Sequence, residues 1–299
     1  MRDRLSILGI AAFVVVDAVL IFLAVRHTSA TPPPSNLPQA TQSAPSEEPE
    51  EQRSRKQSQP RTPPVEAMYT SLGPDGAFIR ATRGSCDDGV ASTVEVSTNR
   101  GGSFITAGIP NLTEVLRVQA SAADNIWLVG TNRDCELGFY STIDAGRTWQ
   151  LSDDFGTAWY LMPNHTASRI HAPDRGVVDT PCTPIGLSTI DTGVLRVLCG
   201  DGPIIGTEDG GRSWVQLGRL DDAVAIRFTS AGDGYAVADV EGCPGAVMRT
   251  EDGGANWEQL ACPGEGQARS IAAESGVVAA QIGDDLLVSN DGGSNWQVQ

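Results

Sequence analysis

Thr142-Ile143-Asp144-Ala145-Gly146-Arg147-Thr148-Trp149 is one of five related stretches in this chain. Their template is S/T-x-D-x-G-x-x-W. Full matches also run from Thr207 through Asp209 and Gly211 to Trp214, from Thr250 through Asp252 and Gly254 to Trp257, and from Ser289 through Asp291 and Gly293 to Trp296. A weaker copy begins at Ser97 and keeps Gly101, with Asn99 in the Asp position and Phe104 in the Trp position. At ordinary residue usage the template arises at roughly one position in a hundred thousand, so the copies are an internal repeat.

Each copy reads as a tight turn between two strands. Ala246 to Arg249 is a strand-like run before one copy, and the Gly pairs that follow such runs supply the positive φ angles of tight hairpins. The Asp carboxylate accepts hydrogen bonds from N–H groups of its own turn, and the Ser or Thr hydroxyl two residues earlier joins that network. The Trp opens the next strand and offers a large ring to the gap between neighbouring sheets. These roles are structural. The Asp or Asn positions 99, 144, 209, 252 and 291 are separated by 45, 65, 43 and 39 residues. Strand-rich units with a period near 40 indicate a β-propeller of four-stranded blades. Calcium-binding nonapeptide arrays repeat far more tightly, and an EF-hand needs several oxygen ligands in one twelve-residue loop. No metal site and no cofactor are expected.

The copies resemble the Asp-box (BNR) repeats of sialidase-like propellers, which also occur in sortilin-type receptors, some glycoside hydrolases and photosystem II assembly-factor propellers. The resemblance covers residues 65–299 and implies that each box lies on the turn from strand 3 to strand 4, away from the usual active face. That span gives five blades of about 47 residues or six of about 39. Six is preferred, because the long interval from Asp144 to Asp209 has room for a box-less blade or an inserted hairpin. Val115-Leu-Arg-Val-Gln and Val224-Ala-Ile-Arg-Phe read as innermost strands. The sequence ends just after the last box, so ring closure is expected to borrow a strand from near Val65.

The expected fold class is therefore all-β, preceded by one transmembrane helix and a disordered linker. Residues 1–4 form a cytoplasmic tip. Residues 5–25 are an apolar run broken only by Asp17, about long enough to span a bilayer core of roughly 30 Å. Thr28-Ser29-Ala30 is a poor cleavage site, so an uncleaved signal-anchor is expected. Arg2 and Arg4 favour a cytoplasmic N-terminus. Residues 26–64 are rich in Pro, Ser, Gln and charge, and read as an extended linker. The chain is thus expected in the cell membrane, single-pass, with a monomeric C-terminal propeller outside the cytoplasm. From residue 65 onward it carries 31 acids against 14 arginines and no lysine, which is a poor match for nucleic acid.

All six cysteines fall in that domain, which suits disulfides in an oxidising compartment. Cys86, Cys135, Cys199 and Cys243 lie between second and third strands, while Cys182 and Cys262 lie on blade-to-blade connections. In a propeller these loops share the face opposite the boxes. The expected pairs, among fifteen possible connectivities, are Cys86–Cys135, Cys182–Cys199 and Cys243–Cys262. No C-x-x-C pair supports zinc.

The sialidase resemblance would imply three arginines holding a carboxylate, a Tyr–Glu nucleophile and an Asp acid/base. The F/Y-R-I-P motif is not matched, since Phe78-Ile79-Arg80 has the wrong order and no Pro. Tyr69, Tyr140, Tyr160 and Tyr235 have no acidic partner evident in sequence. Trp159, His165, Arg169 and His171 are candidate binding residues in the irregular stretch, although polar capping of a distorted blade is the preferred explanation. No catalytic residue is assigned. The expected function is a membrane-tethered, extracytoplasmic, non-catalytic binding or assembly module for a protein or glycan partner. A sialidase-like or other glycoside hydrolase is the alternative.

Overall fold

The computed structural model describes residues 63–64, 66–163 and 168–299. The expected cytoplasmic tip, the membrane helix at 5–25 and nearly all of the linker lie outside the described residues. Every described regular element is a β-strand, so no described helix is long and apolar enough to cross a membrane. The strands build a six-bladed propeller.

Blade 1 comprises β1 (Met68–Leu72), β2 (Phe78–Thr82), β3 (Val94–Ser97) and β4 (Ile105–Thr106). Blade 2 comprises β5 (Glu114–Ala120), β6 (Ile126–Thr131), β7 (Leu137–Thr142) and β8 (Gln150–Ser152). Blade 3 has β9 (Tyr160–Leu161), β10 (Arg169–Ala172) and β11 (Gly176–Asp179). Blade 4 has β12 (Pro184–Thr189), β13 (Leu195–Cys199), β14 (Pro203–Thr207) and β15 (Val215–Arg219). Blade 5 has β16 (Ala223–Phe228), β17 (Gly234–Val240), β18 (Cys243–Thr250) and β19 (Glu258–Ala261). Blade 6 has β20 (Ala268–Glu274), β21 (Val277–Ile282), β22 (Asp285–Ser289) and β23 (Gln297–Val298). Each sheet is an antiparallel meander in chain order. The first strands β1, β5, β9, β12, β16 and β20 stand side by side around the axis, and β20 returns to β1.

Two expectations need correction. Blade 3 has three strands, because the chain after β11 carries no box turn to fold a fourth strand back and runs directly into blade 4. Ring closure borrows no strand: β23, two residues long, completes blade 6 from its own chain. Side-chain packing closes the ring. Leu72, Phe78 and Phe104 of blade 1 form one cluster with Ala272, Leu286 and Val288 of blade 6, and Arg80 Nη1 donates to Gln281 Oε1 at 3.2 Å.

The core is divided into six apolar clusters, one between each pair of neighbouring blades. Middle strands covered on both faces become mostly apolar runs, as in β13, Leu-Arg-Val-Leu-Cys, which is buried throughout and apolar at every position except Arg196. The aromatics that close the repeated turns join these clusters in a regular way. Phe104, Trp149, Trp214, Trp257 and Trp296 each pack into the interface with the preceding blade. Blade 3 has no such residue, and Trp127, Phe139, Phe155 and Tyr160 fill its interface with blade 2 instead.

All five turns lie between third and fourth strands and share one hydrogen-bond pattern. The leading hydroxyl donates to Oδ1 of the Asp or Asn at 2.7–2.8 Å. The same hydroxyl oxygen accepts the glycine N–H at 2.8–3.0 Å. Oδ1 also accepts the N–H four residues on, at 2.8–2.9 Å. In the four Asp copies Oδ2 accepts from the side chain of that residue, Thr148, Ser213, Asn256 or Asn295, at 2.6–2.7 Å. The glycines sit at φ between 81° and 98°. Each also lies against the preceding blade: Gly101 faces Leu286, Gly146 faces Val96, Gly211 faces Trp159, Gly254 faces Ile204 and Gly293 faces Leu260.

A substituted glycine in this position meets both a strained φ and a filled neighbour. Gly293→Ala is expected to destabilise by about 2–4 kcal/mol, while Gly292→Ala, at φ 71° with only the Tyr235 hydroxyl nearby, costs about 1 kcal/mol. Urea unfolding of the two variants measures the contrast, and equal losses would disprove the interblade role.

The carboxylates of Asp144 and Asp291 are held down to about 2, first by the side chains of Thr148 and Asn295. Asp252 is held to about 2, first by the Asn256 backbone N–H, and Asp209 is also lowered, first by the Ser213 hydroxyl. A depressed folded-state pKa gives stability that is complete above the unfolded value near 3.8 and is lost as pH falls towards 2. Unfolding midpoints are therefore expected to drop between pH 4 and pH 2. An Asp252→Asn variant should be weaker above pH 4 and should show a flatter acid limb.

Candidate functional site

The repeated turns engage both carboxylate oxygens of their Asp residues, and they occupy one face. The three disulfides gather on the other. Cys86–Cys135 ties the second-to-third-strand loops of blades 1 and 2 together. Cys182–Cys199 joins the connection entering blade 4 to the end of β13, and Cys243–Cys262 joins the start of β18 to the connection leaving blade 5. The Cα atoms are 5.5, 5.7 and 5.9 Å apart. First strands start on this face, so Pro63, Pro64 and Ala67 stand at the mouth of the axial channel, and Pro63 O accepts from Arg83 Nη1 at 2.8 Å.

Behind that mouth lies a cavity of about 300 Å³ bounded by all six first strands. Its walls are largely apolar, with Leu116, Leu161, Leu187 and Ile226 among them. Three arginines break this surface, Arg117 from β5, Arg227 from β16 and Arg269 from β20. Arg117 is only 8% exposed. One of its Nη atoms donates to Gln119 Oε1 at 3.1 Å, its Nε has no partner, and no carboxylate pairs with it among the described residues. Burial lowers its pKa to about 9, and the nearby Arg227 charge adds to that effect. Arg227 is better supported: its Nε donates to Ala273 O at 3.2 Å, and Glu274 stands 3.9 Å from Nη2. Its pKa is also lowered by burial, with Glu274 opposing.

Three hydroxyls of the same walls, on Tyr69, Thr70 and Ser270, are buried without a hydrogen-bond partner. The Tyr69 hydroxyl is pushed well above the usual phenol range, mainly by burial, with Glu114 adding and Arg83 opposing. Glu114 itself is held by Arg83, whose Nη2 lies 2.9 Å from Oε1. Among the described lining residues Asp239 alone carries a carboxylate, and its Oδ1 accepts the Ala268 N–H at 3.0 Å. Arg269, at the mouth, donates to Glu66 O at 3.3 Å.

Of the binding candidates from sequence, the three that are described, Trp159, Arg169 and His171, lie elsewhere, and none of these three lines the cavity. Trp159 is 1% exposed, belongs to the core between blades 3 and 4, and donates its indole N–H to Thr192 O at 3.2 Å. Arg169 is exposed and pairs with Asp179 at 3.1 Å. His171 stacks on Tyr160 with ring centroids 4.3 Å apart. Its Nδ1 lies 3.2 Å from Ala158 O, which only accepts, so Nδ1 carries the proton, and burial lowers the pKa. His165 lies outside the described residues. Sequence reading passed over Arg117, Arg227 and Ser270. The available signal was a charged residue inside two runs already read as innermost strands.

By sequence, neither a known protein family nor a curated protein matches the chain. Among solved structures it is similar to YCF48 bound to D1 peptide, at 20% identity over 64% of this chain and 54% of that one, TM-score 0.33. It is similar to YCF48 from Cyanidioschyzon merolae at 17% identity over 75% and 66% respectively, TM-score 0.35. It is also similar to a GH74 xyloglucanase from Xanthomonas campestris at 18% identity over 78% of this chain, TM-score 0.33, spanning only 38% of that enzyme.

The disulfides tie together loops on the face where the first strands begin. Cys86→Ser with Cys135→Ser opens a link between residues 49 apart and is expected to cost about 4 kcal/mol, against about 3 kcal/mol for the 17-residue link of Cys182 and Cys199. Urea unfolding of both pairs under non-reducing conditions tests that order.

Proposed function

We propose that this chain is a membrane-tethered, extracytoplasmic Asp-box propeller that binds a partner at its disulfide-bearing face and does not catalyse a reaction. The helix at 5–25 is the anchor and the Pro-rich segment is the spacer. One observation carries the choice of binding over hydrolysis. Among the described residues the channel holds a single carboxylate, Asp239, already engaged by a backbone N–H, whereas glycoside hydrolysis uses two carboxyl groups flanking the scissile bond.

The sialidase-like reading is favoured by one specific feature, the channel arginines beside a tyrosine within electrostatic reach of Glu114. Its weakness is chemical. A nucleophilic phenol needs a lowered pKa or an adjacent free base. Tyr69 has its pKa raised, and Glu114 is bound by Arg83.

Both parts of the proposal are open to test with the full chain. After expression in a bacterial host, it is expected to stay with membranes through alkaline carbonate washing and to lose its propeller to protease added outside the cell. In detergent it is expected to leave fluorogenic sialosides and other fluorogenic glycosides uncleaved. Robust turnover, abolished by Tyr69→Phe, would establish the hydrolase instead.

A further inference from the structure

We infer that the axial cavity is a binding site for a small monocarboxylate with an apolar body, whose carboxylate is held by Arg117 and Arg227 and whose body lies against Leu116, Leu161 and Leu187. This deepens the binding-module reading and rests on it. A buried guanidinium without a counter-ion is unfavourable, and native structures satisfy such groups or use them. Arg117 is more than nine-tenths buried, has a free Nε and faces a void. It does so in a domain with more than twice as many acids as arginines, where an ion-pair partner was abundantly available. Ser270, 2% exposed, adds a second buried group without a partner in the same walls.

Charge and shape select the ligand class. Glu274 offsets Arg227 and Asp284 stands 3.8 Å from Arg269, so Arg117 is the arginine of the lining without a carboxylate beside it, and with Asp239 also in the lining the site has room for at most one further negative charge. A guanidinium presents parallel N–H donors to a planar carboxylate, and the free hydroxyls of Tyr69, Thr70 and Ser270 supply further donors. A doubly charged phosphate or sulfate would be more costly to strip of water in these walls and would exceed the available charge. A polyhydroxylated sugar acid fits less well, because any of its hydroxyls that face Leu116, Leu161, Leu187 or Ile226 find no partner there. The volume, about 300 Å³, lies at the small end of ligand pockets.

The test uses the full chain in detergent with hexanoate and benzoate as probes, followed by calorimetry and thermal melting at fixed ionic strength. Saturable binding of either probe is expected, with hexanol, hexylamine, sulfate and N-acetylneuraminate giving none. Arg117→Met is expected to weaken the bound probe by about tenfold or more. Without probe, this variant is expected to melt at or above the wild-type temperature, because the unpaired buried charge is gone, whereas a purely structural arginine would make it melt lower. Ser270→Ala gives an independent readout, a smaller loss of affinity with little change in melting. If Arg117→Met does not fold, that result counts against the inference. Binding of sulfate or N-acetylneuraminate in preference to hexanoate overturns the ligand class, and no binding of hexanoate or benzoate overturns the carboxylate site. Neither result touches the binding-module reading, which fails instead on glycoside turnover.

Discussion

The architecture depends on one small clamp: a Ser or Thr hydroxyl that donates to a turn Asp or Asn while accepting the N–H of a glycine two residues beyond it. The clamp fixes the glycine at positive φ, and the glycine rests on the blade before it. The aromatic three residues later enters that same interface. Local hydrogen bonding is thereby coupled to long-range packing, since the geometry that closes the turn also sets the distance to the next sheet. Five blades carry the clamp. Blade 3 lacks it, has three strands, and shares with blade 2 an interface filled by Trp127, Phe139 and Tyr160 from strands and Phe155 from the connection between the blades.

Concentrating this work on one face has a consequence for the other. Both oxygens of each turn Asp are engaged by hydrogen bonds from its own loop. On the opposite face the loops are tied by disulfides, and the axis between them is lined by first strands that answer to two demands. They must pair within their blade, and their remaining side chains meet at the channel. A first strand can therefore carry a polar residue without breaking the core, and β5, β16 and β20 all do so. Of the seven buried side-chain groups without a partner among the described residues, four, on Tyr69, Thr70, Arg117 and Ser270, line the channel.

This division explains what was legible in the sequence. The clamp is local, so Thr142, Asp144, Gly146 and Trp149 identify themselves by spacing alone, and their repetition counts five of the six blades. The residue before the aromatic escaped notice because three side-chain types, Ser, Thr and Asn, do the same job of capping the Asp carboxylate. Blade 3 was hidden for the opposite reason, having strands but no clamp. The channel was not legible, because its residues come from separate blades and meet only through ring closure. Arg117 and Arg227 are 110 positions apart, and no local pattern links them. Trp159 and His171 drew attention as rare side chains in an irregular stretch, yet their rings serve the packing of a blade without a clamp.

The charge of the domain sharpens the meaning of the channel. A surface rich in Asp and Glu costs little to maintain in water, because the charges are solvated and screened. The same excess makes a buried arginine easy to neutralise wherever a carboxylate is brought near, as Glu114 does for Arg83 and Glu274 for Arg227. Arg117 sits on the same strand as Glu114 and is left without such a partner, with Arg227 beside it depressing its basicity further. A stability requirement alone would place an apolar residue there, as the neighbouring Leu116 and Val118 do. Retaining a guanidinium at that depth, against a void and three idle hydroxyls, is the arrangement expected of a site whose counter-ion arrives from outside.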